Sequence, residues 1–350
     1  MAGMERFTQR ARRVLSLAHQ EAERMRGNSV VDERTLREIY LPAFEKTVKS
    51  AQPWTVMCSY NRLNGAYASQ NRTLLTDILR GEWGFEGAVV SDWGANHSTF
   101  ESIKAGLDIE MPGPARWYGE LLLEAVKNWT VDASVVEQAA RRMLRLIARV
   151  GRLDDPAALS AGAWDTPEHR ALAREAAGEA VILLKNEGGL LPLEDARLAC
   201  VAVIGPNAAE AVISGGGSSI VDPLYSVSTL EGLRARLGER VRILHEPGCS
   251  NQGEEESDEA GIERAAAAAR QADAAVVCIG MPLLFETEGG DRPHMDLPGR
   301  QVELVRRVAQ ANPRTVVVMT AGAPVSMPWL ESVPAVVHGL YTGQEGGNAL

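Results

Sequence analysis

Cysteine is scarce. The 350 residues hold four, Cys58, Cys200, Cys249 and Cys278, with no CxxC pair among them. That argues against a thiolate zinc site and a disulfide scaffold, and it reads as buried free thiols in a reducing compartment. Positive charge is in deficit, with Lys plus Arg at 36 against 46 for Asp plus Glu, a formal net charge of -10. So acidic a chain offers no broad nucleic-acid surface. No apolar run approaches the roughly 18 residues that a membrane-spanning helix needs. The first segment lacks the continuous apolar centre of a signal peptide and carries charge throughout, which makes the cytoplasm the expected compartment. Internal repeats are absent, and the alanine run Ala265–Ala269 is ordinary helix.

What is present is globular. Hydrophobic residues make up 45% and charged residues 23%, and the length suits about two domains with real cores. Met4–Arg26 places Phe7, Ala11, Val14, Leu15, Ala18 and Ala22 at helical spacing, an amphipathic helix. Asp32–Lys49 predicts a second helix. Short apolar strands follow at Thr55–Cys58, Gly87–Val90 and Leu107–Met111, interleaved with helices at Leu74–Trp83, Phe100–Ala105, Glu120–Trp129 and Ser134–Val150. Strands alternating with helices imply βα units and a parallel sheet or barrel. Gly151–Thr166 has little periodicity and reads as a linker, followed by a helix at Pro167–Ala180. A second βα region then begins at Val181–Leu184. Its strands are Cys200–Ile204, Val241–Leu244, Ala274–Ile279, Thr315–Thr320 and Ala335–Gly339, and its helices are Thr229–Leu237, Gly261–Gln271 and Gly299–Ala311. This is a doubly wound α/β pattern.

Three places carry chemistry. Asp92 follows the strand ending at Val90 and precedes Trp93. A carboxylate there either faces the site side of an α/β fold, with Trp93 as a flat surface for a ring, or caps the next helix. Glu288 lies in Phe285–Arg292, a loop with three carboxylates, an arginine and two glycines. It reads either as a solvated acidic loop or as one able to carry a carboxylate into a cleft. Gly215–Ser219 is neither GxxxxGK[ST] nor GxGxxG, so it argues against a nucleotide site and for a tight loop approaching a ligand closely.

Several motifs, taken in order, resemble glycoside hydrolase family 3 β-glucosidases. They are Val31–Phe44, VMCSYNRLNG, LLTDILRGEWGFEGAVVSDWGA, AGLDIEMPGP, ILLKNEGGLLPL, GGGSS, ETEGGDRPHMDLPGRQVELV and GQEGGNAL. They cover most of residues 30–350. The resemblance implies a retaining mechanism with two carboxylates about 5 to 5.5 Å apart. By position in SDW, Asp92 is similar to the family nucleophile; by position in EGxDR, Glu288 is similar to the acid/base. Met57, Tyr60, Trp93 and Ser218 match positions that bind the sugar. Glu286 and Asp291 then read as residues that order the loop around Arg292. The resemblance implies a β-glucoside or oligosaccharide substrate and no metal or cofactor. It leaves a homo-oligomer open and gives no reason to expect a nucleic-acid or membrane partner.

The same resemblance implies an α/β fold in which the carboxyl-terminal part of a TIM-type (β/α)8 barrel, incomplete, precedes a truncated α/β sandwich domain. Three of the barrel's eight βα units are expected at residues 27–153, a linker at 154–180 and the second domain at 181–350. The family's Lys-His pair is missing, since no Lys-His dipeptide occurs. Residues 4–26 resemble instead the first helix of the amino-terminal domain of ClpC-type chaperones. The expectation is therefore a fragment of a retaining β-glucosidase joined near Arg26 to an unrelated helix. The alternatives are a catalytically inactive fragment, a β-xylosidase with the same two carboxylates, or a chaperone-related adaptor resting on residues 4–26 alone. The EGGDR loop argues against the family's N-acetylglucosaminidase branch.

Overall fold

The computed structural model describes residues 31–155, 162–253, 255 and 257–350. Residues 4–26, compared above with a chaperone helix, lie outside the described residues, as does 156–161 of the expected linker. The chain divides into two compact units, with the boundary between Ala161 and Gly162. Both are α/β.

In the first unit, β1 (Thr55–Cys58) runs parallel to β4 (Ala88–Ser91), with Val56 opposite Val89. A small antiparallel hairpin of β2 (Arg62–Leu63) and β3 (Ala66–Tyr67) follows β1. Apolar residues placed three and four apart turn the helices Thr73–Glu82 and Phe100–Ala105 inward. Leu75, Ile78, Leu79 and Ile103 pack there with Val89 and Leu107. Among the described residues no closed barrel forms, and β1 and β4 form a two-stranded sheet.

The strand expected at Leu107–Met111 is reduced to a single parallel bridge between Ile109 and Val90. Backbone bonds remain there, from the Asp108 and Ile109 N–H groups to the Val89 carbonyl and from the Ser91 N–H to the Ile109 carbonyl, and side chains add to them. Asp108 Oδ2 accepts the Val89 N–H at 2.8 Å, and Glu110 accepts the backbone N–H groups of Arg116, Trp117 and Tyr118. The Ser91 hydroxyl accepts the Met111 N–H, and Pro112 has none to offer. Asp108, its side chain 1% exposed, also pairs with Arg80 at 2.7 Å and Arg142 at 2.8 Å. It thereby ties helices Thr73–Glu82 and Ala133–Arg149 to the sheet.

The second unit holds a six-stranded sheet in the order β5-β10-β9-β8-β6-β7. Its strands are β5 (Ile182–Asn186), β6 (Cys200–Ile204), β7 (Arg242–Glu246), β8 (Ala274–Gly280), β9 (Thr315–Thr320) and β10 (Ala335–His338). All pair in parallel except β5, which is antiparallel to β10. The central strands β6 and β8 are buried along their whole length, which explains their unbroken apolar sequences. Ile262, Leu304 and Val308 from helices Asp258–Arg270 and Gln301–Ala311 build one core cluster with the sheet; Leu230 and Leu237 from helix Thr229–Leu237 build the other. Helix Pro167–Ala180, placed by the sequence within the linker 154–180, instead belongs to this unit: Thr166 caps it by accepting the His169 N–H, and it packs on Gly346–Ala349. The chain passes from β6 outward to β7, then back across to β8, so β6 and β8 flank the point where the winding reverses. Loops that can carry a site gather at the carboxyl ends of these strands.

Candidate active site

Asp92 is the first residue beyond β4, at the carboxyl end of a strand whose buried Val89 fixes its register. The alternative of a helix cap is not what the geometry shows: the next helix starts at Phe100, with Thr99 at its amino end. Asp92 is half-buried, and its Oδ1 accepts the Tyr60 hydroxyl at 2.8 Å and the Trp93 N–H at 2.7 Å. Its own N–H donates to the Cys58 carbonyl at 3.1 Å, which extends the β1–β4 pairing by one residue and locks the backbone there. Met57, opposite Val90, is 54% exposed, and Trp93 is 55% exposed. Exposed Trp and Met side chains beside a hydrogen-bonded carboxylate present a flat apolar face and an acceptor, the pairing that a sugar ring requires. The first unit thus gathers Met57, Tyr60, Asp92 and Trp93 at the carboxyl ends of its two parallel strands.

In the second unit, Glu288 stands at an exposed turn that Thr287 and Gly290 close by an antiparallel bridge, with Gly289 at φ +77°. Its Oε2 accepts two hydrogen bonds from Ser218, from the backbone N–H at 2.8 Å and from the hydroxyl at 2.5 Å. The glycine-rich segment closes on a protein carboxylate. The reason is steric. Gly217 has φ +79°, and a Cβ there would stand 2.2 Å from the Glu288 Cβ; a Cβ at Gly216 would stand 2.3 Å from the Thr287 hydroxyl. Only glycine lets the two loops touch.

Ser218 is thereby placed against Glu288, while the Tyr60 hydroxyl and the Trp93 N–H donate to Asp92 and Met57 stands opposite Val90, two residues before Asp92. Two further residues of this loop were grouped in the sequence around Arg292. Glu286 stands 4.0 Å from the Arg292 guanidinium. Tyr341, which lies in no motif read for chemistry, reaches the same loop by donating a short hydrogen bond to Glu286. A separation of 55 residues hides that contact from any local pattern.

Comparison with known proteins meets this geometry. The sequence model of the Glycosyl hydrolase family 3 N terminal domain matches residues 13–146, a range that takes in part of the segment likened to a chaperone helix. That of the Glycosyl hydrolase family 3 C-terminal domain matches residues 181–350. The Thermostable beta-glucosidase B of Acetivibrio thermocellus is 40% identical over 95% of this chain and 43% of its own length. An Exo-alpha-(1->6)-L-arabinopyranosidase of Bifidobacterium breve is 38% identical over 95% of this chain and 44% of its own. The crystal structure of the GH3 beta-glucosidase of Bifidobacterium adolescentis superposes with a TM-score of 0.80 at 38% identity, over 94% of this chain and 47% of that one. The chain spans 43% to 58% of the length of the curated relatives it matches first.

Proposed function

The chain belongs to glycosyl hydrolase family 3, and from that premise we propose that it hydrolyses β-glucosides with retention of configuration. Asp92 is the nucleophile and Glu288 the acid/base. The Asp92 carboxylate attacks the anomeric carbon while Glu288 gives its proton to the departing glycosidic oxygen. Glu288, now a carboxylate, takes a proton from water as that water displaces Asp92, releasing the sugar in its original anomeric form. Met57, Tyr60, Trp93 and Ser218 form the sugar-binding face, and Ser218 also orients Glu288 through its two hydrogen bonds. The observation that carries the reading is Asp92 at the end of β4, hydrogen-bonded by Tyr60 between exposed apolar side chains.

The finer architecture belongs to the same proposal. β1, β4 and the bridge at Ile109 are read as three consecutive βα units of a TIM-type barrel at residues 27–153, and residues 181–350 as the family's α/β sandwich domain.

Labelling tests the nucleophile. A 2-deoxy-2-fluoro-β-glucoside with a dinitrophenyl leaving group forms a glucosyl ester that hydrolyses slowly, and peptide mapping locates it. The ester is expected on Asp92; a label on another carboxylate overturns the assignment. Aryl β-xyloside and α-L-arabinopyranoside assayed alongside rank the sugars, the latter because the Bifidobacterium breve relative is named for that activity.

A further inference from the structure

The loop that carries Glu288 is fastened by a carboxylate two residues before it. The Glu286 side chain is only 13% exposed. Its Oε2 accepts the Gly322 N–H at 2.7 Å and, in a short hydrogen bond, the Tyr341 hydroxyl. Gly322 follows β9 and Tyr341 follows β10, so a single oxygen ties the loop to the ends of two strands. The Glu286 carbonyl accepts the Gly216 N–H at 3.2 Å, which brings in the glycine-rich loop as well. The Tyr341 ring fills the space between: a Cβ at Gly215 would stand 3.3 Å from it, and one at Gly322 2.7 Å. Arg292 donates to the Pro324 carbonyl at 2.8 Å and lies 4.0 Å from Glu286 Oε1, which is buried without a hydrogen-bond partner. Burial, then the bond to Glu286, push the Tyr341 hydroxyl well above its ordinary range and keep it a donor.

Holding a carboxylate in such a place is costly when packing alone is the aim. The arrangement makes sense as an anchor. Glu288 sits on an exposed turn, and the Ser218 loop that grips it hangs from the Glu286 carbonyl. We propose that Glu286, held by Tyr341, is a positioning residue that sets the placement of Glu288 for proton transfer. This inference rests on the assignment of Glu288 as acid/base. A misplacement of about 1 Å costs on the order of 100-fold in rate.

The test uses Glu286→Ala, Glu286→Gln and Tyr341→Phe in the full chain, with two substrates. Phenyl β-glucoside needs a proton at its leaving oxygen; 2,4-dinitrophenyl β-glucoside does not. For Glu286→Ala and Tyr341→Phe, kcat/KM is expected to fall about 100-fold on the phenyl glucoside and less than about 5-fold on the dinitrophenyl glucoside. Azide, which attacks without a general base, is expected to raise kcat of these variants on the dinitrophenyl substrate. Glu286→Gln keeps the shape and an acceptor oxygen, and is expected to recover most of the phenyl rate. Equal losses on both substrates without an azide response overturn the proposal. Hydrogen exchange gives a second reading that needs no turnover. Amides of residues 215–219 and 285–292 are expected to exchange at least about 10-fold faster in Tyr341→Phe, with β8 and β9 unchanged. Unchanged exchange in the two loops overturns the anchor. Should the unsubstituted chain cleave neither glucoside, the hydrolase assignment fails, and exchange alone decides whether Tyr341 and Glu286 hold the loop.

Discussion

Ser218 grips one oxygen of Glu288 twice, with its backbone N–H at 2.8 Å and its hydroxyl at 2.5 Å from Oε2. The two residues are 70 positions apart, so the contact exists only because β6 and β8 lie side by side and their loops meet. A hydrogen bond to a charged group contributes about 1.5 to 3 kcal/mol, or on the order of 10- to 100-fold in a rate that depends on it. Ser218→Ala removes the hydroxyl and keeps the N–H. The expected outcome is a drop of about 10-fold in kcat/KM that grows as the leaving group becomes more basic. A series of substituted phenyl β-glucosides measures this as a steeper dependence on leaving-group pKa than in the unsubstituted protein.

Gly217 sets how closely those two loops approach. Its φ of +79° disfavours any side chain, and an added methyl would overlap the Glu288 Cβ at 2.2 Å. Gly217→Ala therefore moves Glu288 or opens the turn. The loop is exposed and carries little of the core, so the loss of stability is expected to be about 1 to 2 kcal/mol. The loss of activity is expected to exceed about 100-fold, because the acid/base moves relative to its proton acceptor. Thermal melting and steady-state kinetics on one preparation separate the two effects. A large fall in the melting midpoint with activity retained would contradict this reading.

Much of the fold was legible because burial writes itself into composition. β6 and β8 read as strands since strands covered on both faces need apolar residues throughout, and Asp92 stands out as the first charged group after the apolar run that ends at Val90. The failure at Leu107–Met111 has a different cause. Leu107–Met111 reads as a short strand, yet the Asp108 and Glu110 carboxylates are buried and accept backbone N–H groups, Asp108 from Val89 and Glu110 from Arg116, Trp117 and Tyr118, while the pairing with β4 stays at a single bridge. Local pattern cannot report which way a carboxylate turns. The same limit hid the roles of Ser218 and Tyr341, whose partners are distant in sequence. Glu288 was singled out among the acidic residues of its loop only by the EGGDR motif, since spacing alone gave no reason to prefer it to Glu286.

The cysteines predict a response to alkaline pH. All four are buried free thiols. Burial pushes Cys58 up to about 11 and Cys249 and Cys278 up to about 12. An unfolded thiol titrates near about 8.5, so above that pH the unfolded chain releases protons that the folded chain keeps. Stability is therefore unaffected by these groups below about pH 8 and falls as pH rises from about 8.5 toward 11, by up to about 1.4 kcal/mol per pH unit for each thiol. Urea midpoints across that range are expected to decline, and the decline to flatten when Cys249 and Cys278 are replaced by alanine. At pH 8 a disulfide reagent such as dithionitrobenzoate is expected to leave the native protein unlabelled and to react with all four thiols after denaturation.

Asp108 tests what holds the first unit together. Its carboxylate accepts from Arg80, Arg142 and the Val89 N–H, joining two helices to β4, the strand that leads into Asp92. Burial draws the Arg80 guanidinium down in pKa, and Asp108 is the charge that opposes this effect. Removing one partner of a buried ion pair leaves the other charge uncompensated, at a cost of about 3 to 5 kcal/mol. Asp108→Ala is expected to destabilise the first unit by that amount, since it also orphans the Val89 N–H. Asp108→Asn retains an acceptor for that N–H and is expected to cost less. Because the chain has two units, a single melting curve would blend them; amide exchange in Ala88–Ser91 reads the first unit alone. Faster exchange there, with Ala274–Gly280 in the second unit unchanged, is the expected result. If exchange in Ala88–Ser91 stays at the unsubstituted rate in Asp108→Ala, the unit is held by its apolar cluster, and the ion pairs are dispensable to it.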